Sequence, residues 1–377
     1  DGKPKAGAAP PTEIVARATV LAEGTQGHLR GVAIEQFDLH ERFPQVYALG
    51  VKEVWKVARP LDRIVHTLGW PLRGPARYKE FGGSFIYPMG PEHVCVGMVV
   101  GLDYHDATLS VHDLLQKLKT HPLVADLLEG GERVQWGAKT IPEGGINAWP
   151  RRLAVPGAVI CGDSAGFVNV PKLKGVQYAL RSGMLAAEAI AACLRDGGDP
   201  GAPGALDSYD AAVRDSVIAK DLRRVRNMRQ TFTRGIVVGG AVSGLMDATR
   251  GVFPGGDWET HPDADQEVED LGSRYPQPDG KLTFDKLSSV YLSGNKTRDD
   301  QPNHIRLTPR RVPLELARMW VNLCPAAVYE IEEGSESPDG TVRVRVNASN
   351  CVQCGAITAK GGRLTPAEGG SGPEYTL

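Results

Sequence analysis

The first hundred residues alternate apolar and polar side chains in several short runs, a pattern typical of strands that bury one face. Clusters of Gly, Pro and Asp lie between the runs and favour turns. The pattern predicts five strands, at residues 13–22, 46–57, 63–68, 81–87 and 94–102. The last two flank a Met-Gly-Pro turn, so we expect them to pair with each other.

Helical spacing appears further along the chain. Val111, Leu114, Leu115 and Leu118 fall on one helical face, which predicts a helix over residues 111–119. The other predicted elements are a strand at 153–160, an Ala-rich helix at 175–194, a helix at 209–233 that is basic in its middle, an apolar Gly-rich segment at 235–246, and loops at 251–280. A smaller unit that is expected to begin at residue 282 contains three of the six cysteines.

Composition narrows the class of protein. The chain has 377 residues and 41% hydrophobic residues, enough for two or three domains with a sizeable core. Its net charge of −2 gives no reason to expect a nucleic-acid partner. No apolar run reaches the roughly 18 residues of a membrane-spanning helix. The chain begins with Asp1 in a polar stretch, which we interpret as a sequence that starts partway through a longer protein.

Three cysteines have spacing typical of an iron–sulfur site. Cys324 precedes a proline, and Cys351 and Cys354 form a Cys-x-x-Cys pair. Such sites usually have four thiolate ligands, but the next position expected in the close group is Ile357. The pair also fits a redox dithiol or half of a zinc site. The other cysteines, Cys95, Cys161 and Cys193, lie in apolar stretches and are predicted to be core residues.

Two short motifs indicate a flavin site. The strand at 153–160 enters a turn that contains Gly162, Asp163 and Gly166, where a carboxylate could reach the ribityl hydroxyls of a flavin. The alternative is a strand-to-helix turn with a capping Asp. Glu23 and Gly24 follow the first predicted strand in a similar way. The dinucleotide fingerprint Gly-x-Gly-x-x-Gly between a strand and a helix is missing from the sequence.

Many blocks occur in an order that resembles the electron transfer flavoprotein–ubiquinone oxidoreductase family, from about residue 13 to the end. These blocks include 66–72 (HTLGWPL), 82–85 (GGSF), 99–104 (VVGLDY), 164–172 (SAGFVNVPK), 182–188 (SGMLAAE), 287–290 (LSSV) and 324–326 (CPA). The resemblance implies an enzyme that takes electrons from reduced electron transfer flavoprotein and passes them through a [4Fe-4S] cluster and FAD to ubiquinone.

The resemblance also assigns residues. Glu23, Gly24, Gly162, Asp163 and Gly166 would bind FAD. Gly82 and Gly83 would bring their backbone against the ubiquinone head group, although a bulge in a strand is the alternative. Cys324, Cys351 and Cys354 would be three of the four cluster ligands. With Ile357 in the fourth place, a [3Fe-4S] cluster, a [4Fe-4S] cluster with an oxygen ligand, or no cluster would follow.

Residues 235–251 match the membrane-dipping segment of the family and are too short to cross a bilayer. The arginines before them, Arg223, Arg224, Arg226 and Arg229, could meet anionic headgroups, and the alternative is a buried helix with a solvated basic neighbour. The implied location is peripheral, on the bacterial or mitochondrial inner membrane.

The expected fold combines α+β and α/β parts. Residues 1–210 would hold the remaining FAD-binding domain interleaved with a β-rich ubiquinone-binding domain. Residues 211–281 would supply the basic helix, membrane segment and linker, and 282–377 a ferredoxin-like iron–sulfur domain. Two alternatives stay open: a flavoprotein of the FixC or geranylgeranyl-reductase type with a degenerate cluster, and a remnant without cofactors that binds a partner or membrane.

Overall fold

The computed structural model describes residues 12–297, 304–307, 311–361, 363–364 and 372–374. Parts of the first and third predicted domains therefore lie outside the described residues. The strands are β1 (Thr19–Leu21), β2 (Tyr47–Lys56), β3 (Val65–Leu68), β4 (Gly82–Met89), β5 (His93–Gly101), β6 (Glu132–Pro142), β7 (Ala154–Val155), β8 (Ala158–Ile160), β9 (Ile305–Arg306), β10 (Arg311–Pro313), β11 (Tyr329–Ile331), β12 (Thr341–Val346) and β13 (Arg363–Leu364).

The helices complete a mixed α and β fold, which confirms the predicted fold class. They are α1 (His28–Phe37), α2 (Pro75–Tyr78), α3 (Val111–Lys119), α4 (Pro122–Leu128), α5 (Val176–Arg195), α6 (Asp207–Asp215), α7 (Val217–Arg224), α8 (Met228–Thr231), α9 (Ile236–Ala248), α10 (Lys286–Leu292), α11 (Leu314–Leu323) and α12 (Ala356–Ala359). The predicted helix at 111–119 is confirmed to the residue, because its apolar face packs on the sheet.

The largest sheet is antiparallel, with the strand order β3-β4-β5-β2-β6. The sequence pattern predicted four of these strands but missed β6, which pairs with β2 along its whole length. The buried side chains of this sheet join those of α3 and of the C-terminal unit in one continuous core. The domain boundary at residue 282 stays a prediction.

A second core forms around a small sheet with the order β1-β8-β7. β1 runs parallel to β8 and pairs Leu21 with Ile160, so the ends of both strands lie at the same edge. The strand predicted for 13–22 is shorter than expected, because only residues 19–21 find a partner in β8. Helix α5 packs along this sheet and buries Tyr178, Leu185 and Ala186.

The helix predicted for residues 209–233 is wrong, because the chain forms α6, α7 and α8 instead. Ser216 has an extended backbone (ψ 174°) that ends α6, and its Oγ accepts a hydrogen bond from the Ile218 N–H at 3.1 Å. This is an N-cap, which starts α7 afresh. The second break follows α7, where Arg226 and Asn227 donate to carbonyl oxygens of residues 251–256.

Candidate functional site

The two flavin motifs meet at one cavity of about 1000 Å³. β8 delivers Gly162 and Asp163, and the loop after β1 delivers Gly24. Gly162 has φ +60°, and a Cβ there would lie 3.3 Å from the Ala179 Cβ of α5. This crowding and backbone conformation explain glycine at 162. Its N–H donates to the Ser182 Oγ at 3.0 Å, which fixes the turn against α5.

Asp163 is partly buried on this cavity, and burial raises the pKa of its carboxyl. Helix α5 begins beside it, since a Cβ on Gly175 would lie 3.3 Å from the Asp163 Oδ1. A glycine-lined cradle with a carboxylate next to a helix N-terminus fits the ribityl and phosphate groups of a flavin. Gly166, with φ +80°, shapes the same turn but does not line the cavity.

Glu23 is placed differently from Gly24. Its carboxylate accepts hydrogen bonds from the N–H groups of Leu29 and Arg30, at 3.0 and 2.7 Å. It therefore satisfies the free N–H groups at the start of α1 and does not line the cavity. Its contribution to FAD binding stays a prediction.

A second cavity, of about 380 Å³, contains the predicted ubiquinone site. Gly82 and Gly83 line it, together with Phe81, Phe232 and other apolar groups. It adjoins the flavin cavity, and the two share the lining residues His66, Phe85, Val99, Glu143, Val170 and Leu173. A planar head group in the smaller cavity would thus lie beside a flavin in the larger one.

The sheet itself explains why residues 82 and 83 are glycines. A Cβ on Gly82 would lie 2.1 Å from the Val99 carbonyl oxygen, and one on Gly83 would lie 2.0 Å from the Thr67 carbonyl oxygen. Both clashes are with backbone of neighbouring strands, which cannot move aside cheaply. Close strand packing is therefore sufficient to require both glycines, and their contact with ubiquinone stays a prediction.

The three C-terminal cysteines converge on one small buried cavity. Cys324 ends α11, while Cys351 and Cys354 lie on the loop that leads to α12. Ile357, in α12, lines the same cavity and is 7% exposed. The spacing thus predicted the meeting of the three thiols correctly, and an apolar side chain stands beside them where a fourth ligand was expected.

Backbone N–H groups point at these sulfurs. Val328 donates to the Cys324 Sγ and Gln353 to the Cys351 Sγ, each at 3.4 Å. Burial raises the pKa of Cys351 to about 12 and that of Cys354 to about 11. Buried thiols surrounded by N–H donors suit iron, which binds the thiolate form and releases the proton.

The described residues around the three cysteines do not form a mononuclear zinc site. Across the described residues, no three His, Cys, Asp or Glu side chains come close enough together to hold one metal ion. Ligands of a multi-iron cluster lie farther apart, because different iron atoms bind them. Since no described Asp, Glu or His lines the cysteine cavity, the donor set fits a cluster with three thiolate ligands.

Helix α9 covers most of the predicted membrane segment and exposes apolar side chains. Val237 is 84% exposed, and Val252, shortly after the helix, is 78% exposed. The loop after β3 adds Trp70 beside it, since a Cβ on the preceding Gly69 would lie 3.2 Å from the Ile236 Cδ1. Among the described residues, no helix combines the length and the apolarity needed to cross a bilayer.

Three of the four basic side chains before α9 form internal contacts. Arg229 is buried and pairs with Asp103 and Glu143, and Arg226 pairs with Asp257. Arg224 pairs with Asp247, within α9 itself. This stretch therefore has little free positive charge with which to bind lipid headgroups, and its predicted contact with them stays a prediction.

Comparison with known proteins agrees with this arrangement. The family model for the ubiquinone-binding part of electron transfer flavoprotein–ubiquinone oxidoreductase matches residues 47–141. The model for the 4Fe-4S part of the same family matches residues 280–376. Together these matches cover the large sheet and the cysteine-bearing unit.

Two relatives illustrate the similarity over the whole chain. The mitochondrial electron transfer flavoprotein–ubiquinone oxidoreductase of Arabidopsis thaliana is 39% identical over all of this chain and 60% of its own length. The protein of the same name from Pseudomonas aeruginosa is 36% identical, over all of this chain and 70% of its own length. The chain thus spans about two thirds of the length of these relatives.

A solved structure of a geranylgeranyl bacteriochlorophyll reductase-like protein from Thermoplasma acidophilum is more distant. It has 17% identity and a TM-score of 0.47, over 67% of this chain and 55% of its own. The chain combines a large cavity that carries the flavin-type motifs, a smaller adjoining cavity, and a module in which three cysteines converge. The chain belongs to the electron transfer flavoprotein–ubiquinone oxidoreductase family, which confirms the resemblance found in its sequence.

Proposed function

We propose that this chain carries the quinone-reducing and iron–sulfur parts of an enzyme that oxidises reduced electron transfer flavoprotein and reduces ubiquinone. The observation that carries the proposal is the wall shared by the flavin cavity and the smaller cavity beside Gly82 and Gly83. A flavin can accept electrons singly and pass them to a quinone, so adjacent sites suit the reaction.

The contacts of the cysteine unit support electron transfer between the cluster and the flavin. The Cys354 carbonyl oxygen accepts hydrogen bonds from the Thr140 N–H and Oγ1, at 2.8 and 2.9 Å. Thr140 is in β6, next to Ile141 on the wall of the flavin cavity. A cluster held by Cys351 and Cys354 would therefore lie close to the flavin, separated by packed protein.

For the cluster, we propose an iron–sulfur centre with three cysteine ligands, Cys324, Cys351 and Cys354, and with Ile357 facing its fourth corner. The alternative of a FixC or geranylgeranyl-reductase type with a degenerate cluster is not favoured, because the three cysteines share one cavity. We place the protein on the surface of an inner membrane, bacterial or mitochondrial. The exposed apolar side chains of α9 support monotopic binding, with Trp70 at the edge of the same surface.

The test begins with the chain purified anaerobically and reconstituted with FAD, iron and sulfide. Bound FAD and iron are measured, and the reduction of a short-chain ubiquinone by reduced electron transfer flavoprotein is then followed. Leu68→Trp narrows the smaller cavity alone, because Leu68 lines it and does not line the flavin cavity. Leu287→Trp is the control, since Leu287 is similarly exposed on α10.

We expect Leu68→Trp to raise the KM for the quinone at least about threefold while bound FAD stays unchanged. Leu287→Trp should match the unmodified chain. A chain that binds neither FAD nor iron would support the remnant without cofactors instead. Cofactor binding with no quinone reduction would contradict the proposed acceptor.

A further inference from the structure

Glu143 has an unusual position on the wall between the two cavities. Of the six residues that both cavities share, the ionisable ones are Glu143 and His66. His66 is exposed, whereas Glu143 is 6% exposed. Its backbone is fixed just after β6, where its N–H donates to the Val46 carbonyl oxygen at 2.7 Å. A buried carboxyl is thus held between the place for an electron donor and the place for a quinone.

Arg229 links this carboxyl to a second one. Its Nε donates to the Glu143 Oε2 at 3.0 Å, and its Nη2 donates to the Asp103 Oδ1 at 2.5 Å. Asp103 is the outer member, because a quarter of its side chain is exposed, while Arg229 is 7% exposed. The guanidinium also lies over the Phe81 ring, 4.2 Å from its centroid, which holds it in place.

Two further charged groups, Asp263 and Lys360, lie on the side of the C-terminal unit, close enough for Asp103 and Arg229 to act electrostatically on Asp263. The Asp263 Oδ2 accepts a hydrogen bond from the Tyr47 N–H at 2.8 Å, while its Oδ1 is buried without a hydrogen-bond partner. The Lys360 Nζ donates to the carbonyl oxygens of Tyr104 and Asp263, at 3.0 and 3.1 Å. Lys360 follows α12, which carries Ile357.

The balance of charges favours one proton on these carboxyls. The carboxyls are Glu143, Asp103 and Asp263, and the cations are Arg229 and Lys360. Full ionisation would leave one uncompensated negative charge in a largely buried place, which is costly. Burial raises the pKa of Glu143, and burial with the nearby Asp103 raises that of Asp263 to about 8. The neighbouring Tyr47 and Tyr104 stay neutral, since burial raises their pKa values as well.

We propose that Glu143 is the proton donor for the quinone in the smaller cavity. The proposal rests on the proposed function, in which the flavin supplies two electrons to each quinone. Reduction to the quinol also needs two protons. One proton leaves the Glu143 carboxyl as an O–H bond forms on the quinone oxygen that faces it, and the carboxylate then regains a proton from water on the Asp103 side. The second quinone oxygen takes its proton from water.

Glu143→Gln tests the donor, because glutamine keeps the shape and cannot release a proton. Glu80→Gln is the matched control: Glu80 is 2% exposed and pairs with Arg73, but it lines neither cavity. The reconstituted chain is reduced and offered either a short-chain ubiquinone or a ferricenium salt, which takes one electron and no proton. Rates are measured in H₂O and D₂O.

We expect Glu143→Gln to slow quinone reduction at least about 100-fold, the usual effect of losing a general acid. Ferricenium reduction should stay unchanged, and Glu80→Gln should match the unmodified chain with both acceptors. Quinone reduction at the normal rate by Glu143→Gln would overturn the proposal. A loss in His66→Asn instead would identify His66 as the donor and likewise overturn it.

A measurement without cofactors separates this proposal from the proposed function. The infrared carbonyl band of a protonated carboxyl is recorded near pH 7 on the chain as purified. The band should be present in the unmodified chain and in Glu80→Gln. It should weaken in Glu143→Gln, which removes the Glu143 carboxyl and leaves that of Asp263. An equally strong band in Glu143→Gln would overturn the proposal. Its absence from the unmodified chain would overturn the proposal, even if reconstitution with FAD failed.

Discussion

Ile357 and Cys354 line the same buried cavity, so a hydrocarbon side chain lies beside a thiol that we propose as an iron ligand. The short helix α12 creates this arrangement, because it turns residue 357 back toward the loop that carries Cys354. Ile357 is also part of the continuous apolar core that joins the large sheet and the C-terminal unit. The position is therefore well packed as well as close to the three thiols.

Ile357→Cys should provide the fourth ligand. We expect iron in the reconstituted chain to rise from about three to about four atoms per chain, and the electron paramagnetic resonance signal of an oxidised [3Fe-4S] cluster to disappear. Ala359→Cys is the control, because Ala359 is buried in the same helix but does not line the cavity. An unchanged iron content in Ile357→Cys would contradict the placement of residue 357 at the fourth corner.

The exposed apolar surface of α9 makes a separate prediction about membranes. Val237→Asp places a charge on its most exposed valine, and burying that charge in lipid is unfavourable. We expect the fraction of chain that sediments with anionic phospholipid vesicles to fall at least about threefold. Leu287→Asp is the matched control, because Leu287 is 59% exposed on α10, away from α9. Equal losses in both variants would contradict membrane contact through α9.

Local patterns were sufficient to predict much of the fold. The strands around 46–57 and 94–102 and the helix at 111–119 follow from side-chain periodicity, because each packs one face against the core. The three cysteines could be grouped from their spacing alone. In each case the pattern that reveals the structure lies within a short stretch of sequence: the spacing of apolar side chains in the strands and the helix, and the spacing of the cysteines.

The remaining features depend on contacts between distant residues. Glu143 and Arg229 are 86 positions apart, so no local pattern could predict their ion pair. The sequence does contain one signal for Glu143 as a site residue: it is acidic, follows a strand, and precedes two glycines. Likewise, Arg226 interrupts the predicted helix at 209–233 because its side chain binds the carbonyl oxygens of Gly251 and Pro254.

The packing around Gly83 predicts a loss of stability rather than a simple loss of quinone binding. In Gly83→Ala the new Cβ would meet the Thr67 carbonyl oxygen, so β3 and β4 must separate. We expect the free energy of unfolding to fall by about 3 kcal/mol in urea titrations. Gly31→Ala in α1 is the control, because its Cβ would meet nothing within 4 Å. That change should stabilise by about 0.5–1 kcal/mol, and equal stabilities would contradict the strand packing.

His112 predicts how stability depends on pH. Its ring is fully buried, with Nε2 2.9 Å from the Ser289 Oγ and Nδ1 2.8 Å from the Asp113 Oδ1. Burial lowers the pKa of His112 below 6.5 and outweighs the neighbouring Asp113, which raises it. Two smaller charge effects oppose each other, because Lys286 lowers this pKa and Glu53 raises it. Below pH 6.5 the unfolded chain therefore binds a proton that the folded chain excludes, so stability falls as the pH falls.

Unfolding free energies near pH 7.5 and pH 5.5 measure this effect. His112→Gln keeps a polar side chain but cannot titrate, so its stability should fall less between the two pH values. The difference between the two chains should approach about 1.4 kcal/mol for each pH unit below 6.5. Parallel pH profiles for His112→Gln and the unmodified chain would mean that the buried ring takes up its proton without disturbing the fold.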